Sequence, residues 1–155
     1  MDENPCGSCH ACCDRLEVAD LEPPKPFLVR CPHVQVGCGC EIYPNRPESC
    51  RVFACTWLTS QSGRGPNGEA WDRMAPELRP DRCGVIFAPI DEFEPGYRLH
   101  VHVDPKRPDA WRRRDVKRWL ERIVTRGITV VLRVGHKSTV LRRDLPNMRR
   151  RPPAA

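Results

Sequence analysis

The second half of the chain is patterned. Tyr97, Leu99, Val101 and Val103 are apolar and Arg98, His100 and His102 between them are polar, the period of two expected of a strand with one buried face. Upstream, Val85-Ile-Phe-Ala88 is a short apolar run followed by Pro89. It predicts a strand ending there, because proline brings no N–H to a ladder. A turn through Glu94-Pro-Gly96 separates the two. From Asp109 to Arg126, Trp111, Val116, Trp119, Leu120, Ile123 and Val124 recur at three- and four-residue spacing while the arginines fall elsewhere. That is an amphipathic helix, stopped by Gly127. Ile128-Thr-Val-Val-Leu-Arg-Val134 is rich in β-branched residues, and Gly135-His-Lys137 can turn it back into Ser138-Thr-Val-Leu141 as a hairpin. The order β-β-α-β-β predicts a small antiparallel sheet with one helix packed on it.

The first sixty residues show no such period. Prolines at 5, 23, 24, 26, 32, 44 and 47 break them, so loops, turns and one or two short helical pieces are expected. Leu, Ile, Val and Phe supply only twelve of the sixty, close to the composition at which chains fail to fold unaided. Gln61-Ser-Gly-Arg-Gly-Pro-Asn-Gly68 then reads as a Gly-rich connector, followed by a Pro-punctuated stretch to Pro80. The chain thus reads as α+β: an irregular cysteine-rich, metal-stapled module over residues 1–60, a linker over 61–82, the small β-β-α-β-β lobe over 83–144 and a disordered basic tail over 145–155.

What stands in for a core at the N-terminus is sulfur. Nine of the ten cysteines lie between Cys6 and Cys55, and only Cys83 lies beyond. Met1-Asp-Glu-Asn-Pro5 lacks the basic start and apolar stretch of a secretory signal, and no run approaches the length of a membrane helix, so the expected location is the cytoplasm, without membrane association. Thiols seldom persist as structural disulfides there, and a cluster of them is better read as metal ligands. A structural zinc supplies on the order of 10 kcal/mol of apparent folding free energy, as much as a whole domain's net stability.

The opening run is Cys6-Gly-Ser-Cys9-His-Ala-Cys12-Cys13. Two-residue spacing lets a tight turn aim both sulfurs at one ion, as in zinc and iron–sulfur proteins. Three cysteines at that interval match the start of the bacterial ferredoxin run, but here Cys13 follows directly. On an extended backbone the side chains of Cys12 and Cys13 point to opposite sides. The run therefore suggests two neighbouring sites, or one cluster with a free thiol beside it.

Together with Cys31-Pro-His33 and Cys40-Glu-Ile-Tyr43-Pro-Asn-Arg46-Pro47-Glu-Ser-Cys50-Arg51-Val-Phe53-Ala-Cys55, this run resembles the CxxCxxCC family (YkgJ-type proteins), described as a zinc- or iron-chelating domain. The resemblance covers about residues 6–58. It implies eight metal ligands, Cys6, Cys9, Cys12, Cys13, Cys31, Cys40, Cys50 and Cys55, enough for two tetrahedral zinc ions or for one or two iron–sulfur clusters. Cys38 is an additional thiol, and the Ile42-Tyr43 context favours Cys40 over it. The C-terminal half lies outside the motif. A related cysteine cluster is associated with flagellin lysine methylation, so the resemblance also implies, as an alternative, iron–sulfur-assisted group transfer of a methyltransferase type.

Four thiolates around one zinc leave a net charge of about −2, and Arg46, Arg51 and Tyr43 can stabilise it from outside the ligand sphere. His10 and His33 could each replace a thiolate, but eight sulfurs suffice. Cys83 reads as a small buried residue, His100 and His102 as an exposed sheet surface, Trp111 and Trp119 as helix-to-sheet core, and Trp57 as packing beside the metal module. No phosphate loop, H-E-x-x-H or G-x-S-x-G occurs. No catalytic residue is assigned, and the reading leans away from an enzyme.

Charge is divided. Residues 1–104 hold ten Lys/Arg against sixteen Asp/Glu, net −6, and residues 105–155 hold sixteen against four, net +12. Such a basic half can attract nucleic acid, yet it lacks the interleaved aromatics of a single-strand binder. A solvated face is favoured over a zinc-stapled nucleic-acid or protein adaptor. The expected partners are a metal ion, as zinc or an iron–sulfur cluster, and a protein that the sequence does not name.

Overall fold

A computed structural model describes residues 5–63, 72–93 and 96–143. The N-terminal region is irregular, as its prolines dictate, but holds more helix than expected. Helix α1 spans Ala11–Arg15. Strands β1 (Val34–Gln35) and β2 (Gly39–Cys40) form a small antiparallel hairpin. A 3₁₀ turn over Tyr43–Asn45 leads into α2 (Glu48–Val52), and α3 follows at Thr56–Ser60. Pro47 sits just ahead of α2 with φ −52°, where a fixed φ and a missing N–H cost nothing.

Beyond the connector come α4 (Pro80–Cys83), β3 (Val85–Phe93), β4 (Gly96–Val103), α5 (Arg114–Thr125), β5 (Thr129–Val134) and β6 (Lys137–Leu141). The order β-β-α-β-β stands, but the sheet is mixed and not antiparallel. Its strand order is β3-β4-β5-β6, with β4 and β5 parallel and the two outer pairs antiparallel. The reason is α5: a helix between two adjacent strands carries the chain back to the end at which β4 began, so β5 runs alongside it.

Two boundaries also move. Pro89 does not end β3, which runs on to Phe93; instead Ala88 and Pro89 form a bulge between the Phe87–Val101 and Ile90–Leu99 pairs. β3 is an edge strand, where a residue without an N–H is tolerated. The helix expected from Asp109 is split into a 3₁₀ turn at Ala110–Arg112 and α5, because Arg113 is extended at φ −54°, ψ 141°. The turn at Glu94-Pro95 and the tail lie outside the described residues, as does most of the Gly-rich connector.

The inward residues of β4, Leu99, Val101 and Val103, pack with Val85 and Phe87 of β3 and Val130 and Leu132 of β5 beneath Val116, Trp119, Leu120 and Ile123 of α5. The Phe87 and Trp119 rings lie 4.6 Å apart. Met74 and Leu78, from the Pro-punctuated stretch, and Cys83 enter the same core. Burying each large apolar side chain there stabilises by about 1.5–3 kcal/mol.

The other sheet face is covered in part by the N-terminal region. The edge of Phe27 meets His102 and His136 at ring distances of 6.0 and 5.8 Å. His100 and His102 are therefore half-buried and not on an open surface. Thr56 Oγ1 donates to the carbonyl of Ala88, at the bulge, at 2.7 Å, and Arg15 Nη1 donates to the Gly84 carbonyl at 3.1 Å. Among the described residues no helix is long and apolar enough to cross a membrane.

Candidate metal centre

Each short element of the N-terminal region delivers a thiol. Cys6 and Cys9 flank a turn closed by Cys9 N–H to the Cys6 carbonyl at 3.0 Å, with Gly7 at φ +55°. Cys12 and Cys13 follow on α1. Because this stretch is helical, their side chains diverge by about 100° rather than pointing to opposite sides. Cys31 N–H donates to the Cys13 carbonyl at 2.9 Å, pinning a distant loop against α1. Cys40 ends β2, Cys50 lies within α2, and Cys55 precedes α3 and accepts Thr59 N–H at 3.0 Å.

These eight thiols, Cys6, Cys9, Cys12, Cys13, Cys31, Cys40, Cys50 and Cys55, line one cavity of about 360 Å³. Its remaining wall is mostly apolar, with Leu16, Val18, Leu21, Phe53, Trp57 and Ile86 among the lining side chains. Cys38 and Cys83 do not line it: Cys38 is exposed near the β1–β2 turn, and Cys83 is fully buried in the sheet core. His10 reaches the cavity, but its Nδ1 lies 3.0 Å from Asp14 Oδ2. His33 does not line it.

The thiols ring the cavity and do not converge on one point. Among the described residues no three or more His, Cys, Asp or Glu side chains are arranged to hold an ion. None of the ten cysteines is in a disulfide. Burial, reinforced by the neighbouring cysteines, pushes the Cys6 thiol up to about 11 and Cys55 up to about 12. It also raises Cys9, Cys40 and Cys50. The Cys12 and Cys13 thiols share a hydrogen bond that lowers Cys12 and raises Cys13. Burial in an apolar cavity favours the neutral form of the thiols it raises.

Arginines brace the wall. Arg46 stacks 3.8 Å over the Tyr43 ring and donates to the Tyr43 carbonyl at 2.7 Å. Arg51 donates to the carbonyls of Arg46 and Pro44 at 2.9 and 3.1 Å. Both line the cavity, and Arg46 acts electrostatically on Cys6 and Cys40. From the other side, Arg79 Nη2 donates to the Cys6 carbonyl at 3.3 Å and to Ser8 Oγ at 3.0 Å, while its Nε faces Asp81 at 3.1 Å.

Two further cations were not singled out by motif or spacing. Arg15 and Lys25 are 7% and 3% exposed, and burial lowers the pKa of each. The one sequence signal at Lys25 is its setting between Pro24 and Pro26, which holds the strap extended.

Comparison with protein-family models, curated protein sequences and solved structures finds no match to this chain.

Proposed function

We propose that this chain is a metal-binding protein of the CxxCxxCC type, in which Cys6, Cys9, Cys12, Cys13, Cys31, Cys40, Cys50 and Cys55 hold zinc ions or an iron–sulfur cluster. The observation that carries the reading is a selection: of ten cysteines, these eight line a single cavity, and Cys38 and Cys83 do not. Random placement along a proline-broken chain gives no reason for thiols 49 positions apart, from Cys6 to Cys55, to share one cavity.

The donor set fits the group. It is all sulfur, the preference of zinc and iron–sulfur clusters among thiolate sites, set in a mostly apolar wall. Cation binding requires the thiols to lose protons and their side chains to swing inward. Each cysteine has one χ1 rotation with which to do so. Affinity consequently rises with pH until the thiols are all deprotonated.

The test is metal and sulfide analysis of protein purified without oxygen, together with Cys40→Ser and Cys38→Ser. At least one ion per chain is expected in the wild type and in Cys38→Ser, with a lower content in Cys40→Ser. Colourless protein with zinc identifies a tetrathiolate site, and brown protein with iron and sulfide a cluster. A wild-type chain that carries no ion, takes none up and has every thiol freely titratable removes the proposal.

A further inference from the structure

Lys25 is a buried cation without a carboxylate. Its backbone is fixed by reciprocal bonds to Val18, N–H to carbonyl at 3.0 Å and carbonyl to N–H at 2.9 Å. Its Nζ donates to the carbonyls of Leu16 and, at 3.3 Å, Pro26. Leu16 and Val18 both line the thiol cavity, so the ammonium sits immediately behind that wall. Carbonyl oxygens satisfy donors but do not neutralise charge, and a fully buried lysine is rarely found unpaired.

Among the described residues Lys25 forms no ion pair. When ionised, Cys31, Cys13 and Cys12 act on it as negative groups, followed by Asp14. Asp14 is committed elsewhere, with Arg30 Nε at 2.7 Å and His10 Nδ1 at 3.0 Å. Arg15 is a different case, because Asp104 also acts on it. This leaves the cavity sulfurs, once ionised, as the main counter-charge open to Lys25.

Building on the metal-centre reading above, we propose that Lys25 is the built-in counter-ion of the thiolate centre: its buried ammonium, held on the carbonyl of the cavity-lining Leu16, offsets the negative charge of the sulfur–metal assembly and tightens its hold on the metal. The role is that of a positioning residue, since Lys25 does not line the cavity. The charge balance favours it. Four thiolates around a divalent ion leave a net −2 in apolar surroundings, where an uncompensated charge is costly and a nearby opposite one is worth more than in water.

The experiment compares zinc-loaded wild type, Lys25→Met and Lys25→Arg. Three quantities are measured: ions bound per chain, zinc affinity in competition with a chromophoric chelator, and the pH at which half the zinc is released. Lys25→Met is expected to bind the same number of ions roughly 10- to 100-fold more weakly, the range typical of groups just outside a ligand sphere. Its half-release pH is expected to be higher, and Lys25→Arg is expected to restore most of the loss. Should Lys25→Met not fold, Lys25→Gln, which keeps a donor for the Leu16 carbonyl, takes its place in the same comparison. Wild-type affinity and release pH in the neutral variant overturn the counter-ion role while leaving the metal centre intact. Equal losses in the Met and Arg variants overturn it too, since packing and not charge would then be at stake. A wild type that binds no zinc or iron sinks both readings.

Discussion

Gly84 shows how much one backbone position can carry. It ends α4 in the left-handed region at φ +79°, and its carbonyl receives both Arg15 Nη1 and Asp104 N–H, at 3.1 and 2.8 Å. A Cβ there would lie 2.8 Å from Arg107 Cζ, 2.9 Å from its Nε and 3.1 Å from Ala110 Cβ. Arg107 cannot retreat without loosening its bonds to the Arg82 and Asp81 carbonyls. Gly84→Ala is therefore expected to destabilise by roughly 1–3 kcal/mol, read as a lower urea midpoint at unchanged m-value. At this scale the cavity-lining cysteines stand out in the sequence by their number and C-x2-C spacing. Lys25 and Arg15 do not. Nothing in a lysine's identity says it will be buried; that follows from the strap around Pro24 and Pro26 folding against α1.

Among the elements, α5 is the one whose sequence and structure agree most fully. Val116, Trp119, Leu120 and Ile123 are buried at helical spacing, and the basic residues lie outside. Leu120→Ala is expected to cost about 2–5 kcal/mol in chemical denaturation, against less than about 0.5 kcal/mol for Arg118→Ala on the exposed face. Periodicity identified this helix and the flanking strands because it reports which face of an element is buried. It does not report the direction of the neighbour, and so the parallel β4–β5 pair was missed. Likewise Pro89 was read by its missing N–H, but whether a strand survives proline depends on its being at an edge, and edges exist only once a sheet has assembled. The extended backbone assumed at Cys12 and Cys13 failed for a similar reason: a five-residue helix is too short to leave a period.

Across the whole molecule, the N-terminal region and the sheet are joined at a titratable seam. His102 is pressed between Phe27 and the sheet. Burial, with Arg133, His100 and Arg15 adding positive charge, pulls its pKa from the ordinary 6.5 down to about 4. Its Nδ1 has no hydrogen-bond partner among the described residues. The folded state thus binds its proton less readily than the unfolded chain. The stability this group contributes is complete above about pH 6.5, falls as pH drops toward 4 and levels off below, by at most about 3 kcal/mol in all. His102→Leu is expected to flatten the wild-type decline over that window in denaturation curves. Any metal release is common to both proteins and cancels in the difference.

The parallel pairing of β4 with β5 has a consequence for the order of assembly. β3–β4 and β5–β6 are each joined through a short reversal and can zip locally, whereas β4 and β5 meet only after the chain from Asp104 to Ile128 has looped over one face. Closing that loop costs entropy before any contact repays it. Two ready-made ribbons waiting on one slow union place the kinetic bottleneck at the middle of the sheet.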